Sequence, residues 1–385
     1  QLLSGGNLKL NYSMDTKLEN QNNENWFKDA SIIAKYNQNL NETYNLTIDT
    51  ALQTSTKYLQ TTDPNNKLSY ATSLSTSLNL NGYRIRNEND ILKLNLSTYQ
   101  VLQNSEDNKT TPTVLPFLTY KTGNKLYQNI NYENSFQIYN IFRDTSTTDH
   151  AQKQRKISHL INTDREYYKL KSKLNIKTEF HSQIFDTENK KIGDNNITGT
   201  YNRVFPIVGL FIETPMKHIK TNVNITPKII FISSSGQSNT NKISNEDSTN
   251  NIFTIDNQNE LNRYIGTDKL DNSKRIGYGF NITKNRVSLN FLQNYEFTKN
   301  SNYHKQLKNN DYLSDALIDF TYDSEYNDLR YDIRYDPDQK NLKRQILTLE
   351  NNNLFSNITL TYLDEKKEVN SVLENENETI NYSFE

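Results

Sequence analysis

The sequence predicts an all-β protein, folded as one large antiparallel β-barrel of the transmembrane type. Three observations predict this class. Polar and apolar residues alternate along many segments, turn-forming residues separate those segments, and only 34% of the 385 residues are hydrophobic. The mean hydropathy is −0.87. Segments of about ten residues with a period of two, joined by turns of unequal length, are typical of outer-membrane barrels, which have one lipid-facing and one water-facing side.

The alternation is clearest in the segment DLRYDIRYD, at residues 328–336. Leu329, Tyr331 and Ile333 fall on one parity, and a charged residue stands at every position between them. A helix, with 3.6 residues per turn, would spread these charges around its whole surface. A strand separates the two sets onto opposite faces, so the segment predicts a strand between two different environments.

The same pattern recurs along the chain, and turn signals lie between its occurrences. Alternating segments are found at 8–15, 92–97, 170–181, 287–291, 318–323 and 358–362. Turn signals are found at 61–67, 81–82, 106–112, 122–125 and 335–341, and the polar stretches 144–156 and 233–251 are predicted to be large loops. At about 22 residues per strand with its connection, the chain has room for roughly 16–18 strands.

A membrane location is possible only through strands. The longest apolar run, at 206–212, is far shorter than the roughly 20 residues that a transmembrane helix needs. A closed barrel is the other structure that satisfies every backbone group in lipid. A soluble β-sandwich also alternates. The length of the segments and the tyrosines toward their ends favour the barrel.

Composition and motifs argue against several other functions. The chain has 44 basic and 45 acidic residues, without the clustered basic excess of a nucleic-acid-binding surface. Cysteine is absent, so no disulfide can form within the chain. The five histidines are scattered, and no zinc, phosphate-binding or nucleophile-elbow motif occurs. We therefore predict no catalytic residue, no metal and no cofactor, and we predict that the protein is not an enzyme.

A more specific pattern lies in the segments 198–216, 225–235 and 259–282. It contains, in chain order, Arg203, Pro206, Pro227, Asp247, Arg263, Tyr264, Gly266, Asp268, Lys269 and Gly279. This order resembles the LptD family of outer-membrane lipopolysaccharide-assembly proteins, also called organic solvent tolerance proteins. The family usually carries Arg where Lys269 stands. The resemblance is collinear over roughly the whole chain and specific over 198–282.

The resemblance implies that residues 1–385 are the central part of the family's barrel domain, without its N-terminal periplasmic jellyroll and its closing strands. It implies an integral outer-membrane protein that transports lipopolysaccharide and inserts it into the outer leaflet. The implied partners are lipopolysaccharide, an LptE-like plug lipoprotein, and an LptA-like periplasmic bridge that the jellyroll would contact. A passive outer-membrane channel of another family and a secreted β-rich adhesin or structural protein are the alternatives.

The residues of the pattern suit a structural role. Gly266 and Gly279 are expected at a turn with positive φ and at a close approach of two strands. Arg263 and Asp268 are expected to pair across that turn. The two prolines cannot donate hydrogen bonds to a sheet, so they are expected at bulges or strand starts. We therefore expect these residues to fix a loop rather than to bind a ligand directly.

Overall fold

A computed structural model of the protein contains twenty strands and three short helices. It describes residues 5–16, 27–102, 107–235, 239–249, 253–298, 312–338, 340–352, 357–369 and 372–384. The strands are β1 (Asn7–Thr16), β2 (Phe27–Asn39), β3 (Tyr44–Gln53), β4 (Ser73–Tyr83), β5 (Ile91–Val101), β6 (Thr113–Lys121), β7 (Lys125–Tyr127), β8 (Ile130–Phe142), β9 (Lys153–Lys169), β10 (Ser172–Ile192), β11 (Asn195–Glu213), β12 (Met216–His218), β13 (Val223–Ser234), β14 (Lys274–Lys284), β15 (Val287–Glu296), β16 (Ala316–Asp323), β17 (Asn327–Asp336), β18 (Asn341–Asn352), β19 (Asn357–Val369) and β20 (Val372–Phe384). The helices are α1 (Tyr58–Thr62), α2 (Asp107–Thr110) and α3 (Ile255–Gln258).

All twenty strands belong to one antiparallel sheet. Each long strand pairs with the next long strand along the chain, and β7 and β12 are three-residue strands that pair with β8 and β13. Without these two short strands, eighteen remain, which agrees with the predicted 16–18. Within the described ranges, no ladder joins β1 to β20. The predicted all-β class and antiparallel arrangement are confirmed.

The predicted strands and turns agree with the structure apart from local differences. The segment 328–336 lies in β17, and the segment 170–181 lies mostly in β10. Asn81 and Gly82, expected in a turn, lie inside β4, because the chain remains paired with β3 and β5 up to this point. The expected loop at 144–156 ends earlier, since β9 begins at Lys153.

On this sheet charged side chains are buried and apolar side chains are exposed, which is the opposite of the arrangement in a soluble protein. Lys156 is 1% exposed and the next residue, Ile157, is 58% exposed; Arg203 is 7% exposed and Val204 is 50% exposed. In soluble proteins, lysine and arginine are almost never fully buried without partners, whereas isoleucine and valine usually are buried. The sheet therefore encloses its polar face and presents its apolar face outward.

The same division extends to β4. Ser77 lies opposite Asp49 on β3, whereas Leu78 lies opposite Ile48. Because every described strand belongs to a single sheet, the described part of the chain has no second sheet to cover the apolar face. A dry β-sandwich needs such a cover. The structure is therefore not a sandwich in these regions.

The connections differ in length at the two ends of the strands. Connections of ten residues or more gather at one end, at 17–26, 54–72, 102–112, 143–152, 235–273 and 297–315. At the opposite end, two-residue turns at 170–171 and 285–286 join neighbouring strands. Among the described residues, no helix has the length and apolar character needed to cross a lipid bilayer. The longest connection, residues 235–273, is called the interior loop below.

Candidate functional site

The interior loop packs onto the polar face of the sheet. Two of its leucines enter a buried apolar cluster with side chains of β11, β13 and β15, formed by Phe205, Ile207, Ile230, Ile232, Leu261, Leu270 and Leu292. Tyr264 packs with Phe253 and with Leu317 of β16 in a second cluster. The loop thus contacts strands on both sides of its own strand pair, so the polar face is concave around it.

A lysine on β9 holds two carboxylates of the loop. The Nζ atom of Lys156 lies 2.6 Å from Oδ1 of Asp268 and 3.0 Å from Oδ2 of Asp247. It also donates a hydrogen bond of 2.7 Å to Thr267 Oγ1. The Lys156 side chain is fully buried, with Asp268 at 1% and Asp247 at 10% exposure. These four residues, with Tyr139 of β8, are called the Lys156 anchor.

The two aspartates of the Lys156 anchor also organise the loop backbone. Asp247 accepts hydrogen bonds from the backbone N–H groups of Thr267 and Asp268, at 3.0 and 2.7 Å. Asp268 accepts from the backbone N–H groups of Glu246 and Asp247, at 2.7 and 3.0 Å. The Tyr139 hydroxyl donates to Asp268 at 2.9 Å. The two parts of the loop are therefore bound to each other and to the sheet by the same carboxylates.

Gly266 is required by the backbone at this crossing. Its φ is +86°, a conformation that side-chain-bearing residues rarely adopt. A Cβ atom at this position would lie 2.1 Å from the carbonyl oxygen of Asp247. The expected positive φ is confirmed, and the missing side chain also lets the two loop segments touch.

Arg203 of β11 fastens the same loop through its backbone carbonyls. Its guanidinium donates to the carbonyl oxygens of Thr267 and Asp268, at 2.9 and 2.8 Å. It also donates to the side chains of Gln183 and Asn239, at 2.7 and 3.0 Å. The planar guanidinium carries several N–H donors in a fixed geometry. It can therefore bond to the carbonyl oxygens of the loop, which lie outside any helix or strand.

Arg263 belongs to a second buried network, called the Arg263 anchor. Its Nε atom lies 2.6 Å from Asp271 Oδ2, and its Nη2 atom lies 2.6 Å from Oε1 of Glu296 on β15. Arg275 of β14 reaches Asp271 at 3.1 Å. All four side chains are fully buried. The expected pairing of Arg263 with Asp268 is therefore wrong, because the cation beside Asp268 is Lys156 and the acids beside Arg263 are Asp271 and Glu296.

A third contact ties the loop to the β8–β9 connection. Arg143 donates two hydrogen bonds to the Glu246 carboxylate, at 3.0 and 2.6 Å. The Glu246 side chain is 2% exposed, and His150 Nδ1 lies 3.7 Å from it. The bidentate geometry makes this a strong, orienting ion pair.

The loop carboxylates have displaced pKa values. Burial raises the pKa of Glu246, but the nearby His150 and the two hydrogen bonds from Arg143 outweigh it and lower the pKa to about 2. Burial likewise opposes ionisation of Asp247, yet the charge of Lys156 and the N–H of Asp268 lower its pKa to about 2. Burial raises the pKa of Asp268 and of the Tyr264 hydroxyl. The first two acids are therefore ionised because the fold supplies their partners.

The remaining residues of the predicted family pattern lie on strands. The Pro206 carbonyl accepts from Ser235 N–H and the Pro227 carbonyl accepts from Thr214 N–H, each at 3.1 Å. Both prolines thus face the short ladder in which 207–213 of β11 pair with 228–234 of β13, and they stand just beyond its opposite ends. They are inside strands, not at bulges or strand starts as expected. Because proline has no N–H group to donate, the ladder stops at each of these two positions.

Gly279 confirms the expected close approach of two strands. A Cβ atom at this position would lie 2.2 Å from the carbonyl oxygen of Phe291 on β15. The glycine lies opposite Leu292 in the β14–β15 ladder, beside the apolar cluster of the loop. The close packing of this hairpin under the loop therefore depends on the absence of a side chain.

The structure unites most of the predicted residues around one loop. Arg203, Asp247, Gly266 and Asp268 meet at the Lys156 anchor, while Arg263 lies in the neighbouring network. Sequence reasoning missed Lys156, Tyr139, Glu296 and Arg275. The alternation along their strands places these residues on the polar face, but it does not predict which residues of that face contact a loop. No group of three or more possible metal ligands occurs in the ranges that the structure describes.

Comparison with solved structures finds outer-membrane proteins of low similarity. The siderophore receptor PirA from Acinetobacter baumannii is 10% identical, with 92% of this chain and 71% of that chain covered and a TM-score of 0.40. The ferric enterobactin receptor PfeA from Pseudomonas aeruginosa is 10% identical, with coverages of 98% and 72% and a TM-score of 0.40. BamA from Haemophilus ducreyi is 8% identical, with coverages of 98% and 75% and a TM-score of 0.34.

Comparison of sequences is more specific. No curated protein matches the chain. The family described as LptD, LPS transport system D, matches residues 28–384. Because this match covers nearly the whole chain, the protein belongs to the LptD family of the lipopolysaccharide transport system, and it is an integral β-barrel protein of the outer membrane.

Proposed function

We propose that this chain forms the main part of the wall of a lipopolysaccharide translocon, which inserts lipopolysaccharide into the outer leaflet of the outer membrane. The observation that carries the proposal is the family match over residues 28–384. The protein acts in transport and not as an enzyme.

The polar and apolar faces of the sheet suit a substrate that has both a polar and an apolar part. Lipopolysaccharide joins hydrated, charged sugars to acyl chains. The polar face, where the partly exposed Lys173 and Glu166 lie, offers charged groups to the sugars. The apolar face, with Ile157 and Val204 exposed, adjoins hydrocarbon that dissolves the acyl chains. The sugars would pass inside the barrel while the acyl chains leave into the membrane.

The proposed orientation follows from loop length. In outer-membrane barrels the long connections are extracellular and the short turns are periplasmic. The interior loop would then enter from the extracellular end and narrow the interior there. An N-terminal jellyroll domain of the full-length protein would contact an LptA-like bridge, and further strands would close the barrel. An LptE-like lipoprotein would occupy the interior on the periplasmic side of the loop.

Depletion of the full-length protein in its native host tests this function. We expect newly made lipopolysaccharide to disappear from the cell surface and to accumulate in the periplasm, because its delivery is interrupted before the outer leaflet. Re-expression of the protein should restore surface lipopolysaccharide. Unchanged surface delivery during depletion would exclude the translocon.

A conductance measurement separates the translocon from a passive channel. The full-length protein, purified with its plug lipoprotein, is inserted into planar bilayers. Because the loop and plug obstruct the interior, we expect little steady conductance. Large, steady ion conductance together with normal surface lipopolysaccharide in depleted cells would instead identify a passive channel.

A further inference from the structure

A polar cavity of about 710 Å³ lies at the end of the sheet where the long connections gather. The β8–β9 connection contributes His150, the end of β10 contributes Lys190 and Lys191, and the interior loop contributes Asn241 and Lys269. This volume is within the range of about 300–1,000 Å³ that is usual for small-ligand sites. The cavity adjoins the Lys156 anchor, because Asp268 belongs to both.

Among the described residues, the lysines of this cavity form no direct ion pair. In the described ranges, no carboxylate lies within 4 Å of the Nζ atom of Lys190, Lys191 or Lys269. Lys190 is 6% exposed, and its ammonium group donates to the carbonyl oxygen of Ile243 at 2.7 Å. Asp149 and Glu246 lie near enough to attract the charge of Lys190, and Lys269 lies near enough to repel it. Because no carboxylate contacts these ammonium groups directly, an anion that enters the cavity can form charge-assisted hydrogen bonds with them.

The neighbouring acids do not cancel this charge. Lys156 pairs with both Asp247 and Asp268, and Arg143 pairs with Glu246, while Arg203 contacts only the backbone carbonyl of Asp268. Three lysines and two acids, Asp149 and Asp268, line the cavity, which gives its lining a net charge of +1.

We infer that this cavity binds an anionic saccharide, a sugar that carries phosphate or carboxylate. The ammonium groups suit the anion, because charge-assisted hydrogen bonds to phosphate are short and strong. The volume exceeds what a bare phosphate fills, and Asn241 and Thr240 offer amide and hydroxyl groups to sugar hydroxyls. The inference deepens the proposed function and rests on it for the cellular ligand: the charged sugars of the transported glycolipid would pause here near the outer end of the route.

Calorimetric titration of the full-length protein in detergent, at low ionic strength, tests the cavity with three probes. We expect glucose 6-phosphate to bind at least about tenfold more tightly than glucose, since the charge-assisted bonds are lost with glucose. It should also bind more tightly than inorganic phosphate, because the sugar fills the cavity. Binding of inorganic phosphate as tight as that of glucose 6-phosphate, or no binding of either, overturns the inference.

Matched lysine variants locate the binding. Lys190→Gln and Lys269→Gln should each weaken glucose 6-phosphate binding about five- to tenfold. Lys220→Gln, an exposed lysine in the turn before β13 at the opposite end, should leave it unchanged. Heat-modifiable gel mobility reports whether each variant is folded, and Lys269→Gln serves if the buried Lys190 variant is not. Equal effects of Lys269→Gln and Lys220→Gln overturn the site, while normal surface delivery of lipopolysaccharide would still support the proposed function.

Discussion

The substitution Lys156→Met removes the one cation of the Lys156 anchor while keeping a side chain of similar length. Asp247 and Asp268 then lie buried without the ammonium group that now stands 3.0 and 2.6 Å from them. At an effective dielectric constant of about 20, each of these contacts has a gross Coulomb energy of about 6 kcal/mol. The remaining donors, among them Tyr139, and water entering the site recover part of this.

The net free-energy cost is therefore that of removing one partner of a buried ion pair, about 3–5 kcal/mol. This cost falls on the docked loop, because the sheet keeps its own ladders. The equilibrium between the docked and the released loop should shift toward release by a factor of roughly 10² to 4 × 10³.

A buried thiol measures the release. The chain has no cysteine, so Leu261→Cys introduces a single thiol in the apolar cluster, where Leu261 is 4% exposed. Its reaction with dithiodipyridine reports the released fraction, and every variant shares this background. We expect Lys156→Met to accelerate the reaction about a hundredfold or more, at unchanged heat-modifiable gel mobility.

Lys173→Met is the matched control. Lys173 pairs with Glu166 on the same polar face, but the two side chains are 33% and 37% exposed. Half-exposed pairs are worth about 0–1 kcal/mol, so the thiol should react less than about fivefold faster. If Lys156→Met changes the rate no more than this control does, the buried carboxylates do not depend on Lys156 and the reasoning fails.

Three further predictions use the same protein. Gly266→Ala should release the loop more than Gly193→Ala does, because both have positive φ but only the first has a backbone atom 2.1 Å from the new Cβ; equal thiol reaction rates would contradict this. Leu78→Arg should lower the barrel's unfolding free energy by about 2–4 kcal/mol, whereas Ser77→Arg on the opposite face should change it little, as measured by urea titration of gel mobility; equal losses would refute the two-faced sheet. The pKa of Asp247 is lowered to about 2, so its stabilisation, about 2 kcal/mol, is complete above about pH 4 and is lost as pH falls through 2; a thiol rate that is constant from pH 5 to 2 would contradict this.

The strands and their faces could be predicted because their signal is local. Consecutive residues of a strand lie on opposite faces, so the sequence itself shows which residues belong to each face. In β17, for example, charged and apolar residues alternate without interruption. Local signals also predicted the positive φ of Gly266. They were less reliable for turns: Asn81 and Gly82 form a common turn pair, yet two neighbouring strands keep them extended.

The partners inside the barrel could not be predicted in the same way. The family pattern identified Arg263 and Asp268 as important, and their closeness in sequence suggested a pair. Their actual partners include Glu296, 33 residues from Arg263, and Lys156, 112 residues from Asp268. Which strand residues reach the loop depends on the register of every ladder between them, and that register is set by pairings far apart in the chain.

The amino-acid sequence by itself therefore determined the all-β class, the approximate number of strands, and the polar and apolar face of each strand, because each is encoded over about ten residues. Only the tertiary structure decided that the interior loop is held inside the sheet by two buried charge networks, and that three lysines without a direct ion pair among the described residues surround one cavity. These features arise where side chains from distant strands converge on a concave surface, and their energies depend on burial, which no short segment of sequence specifies.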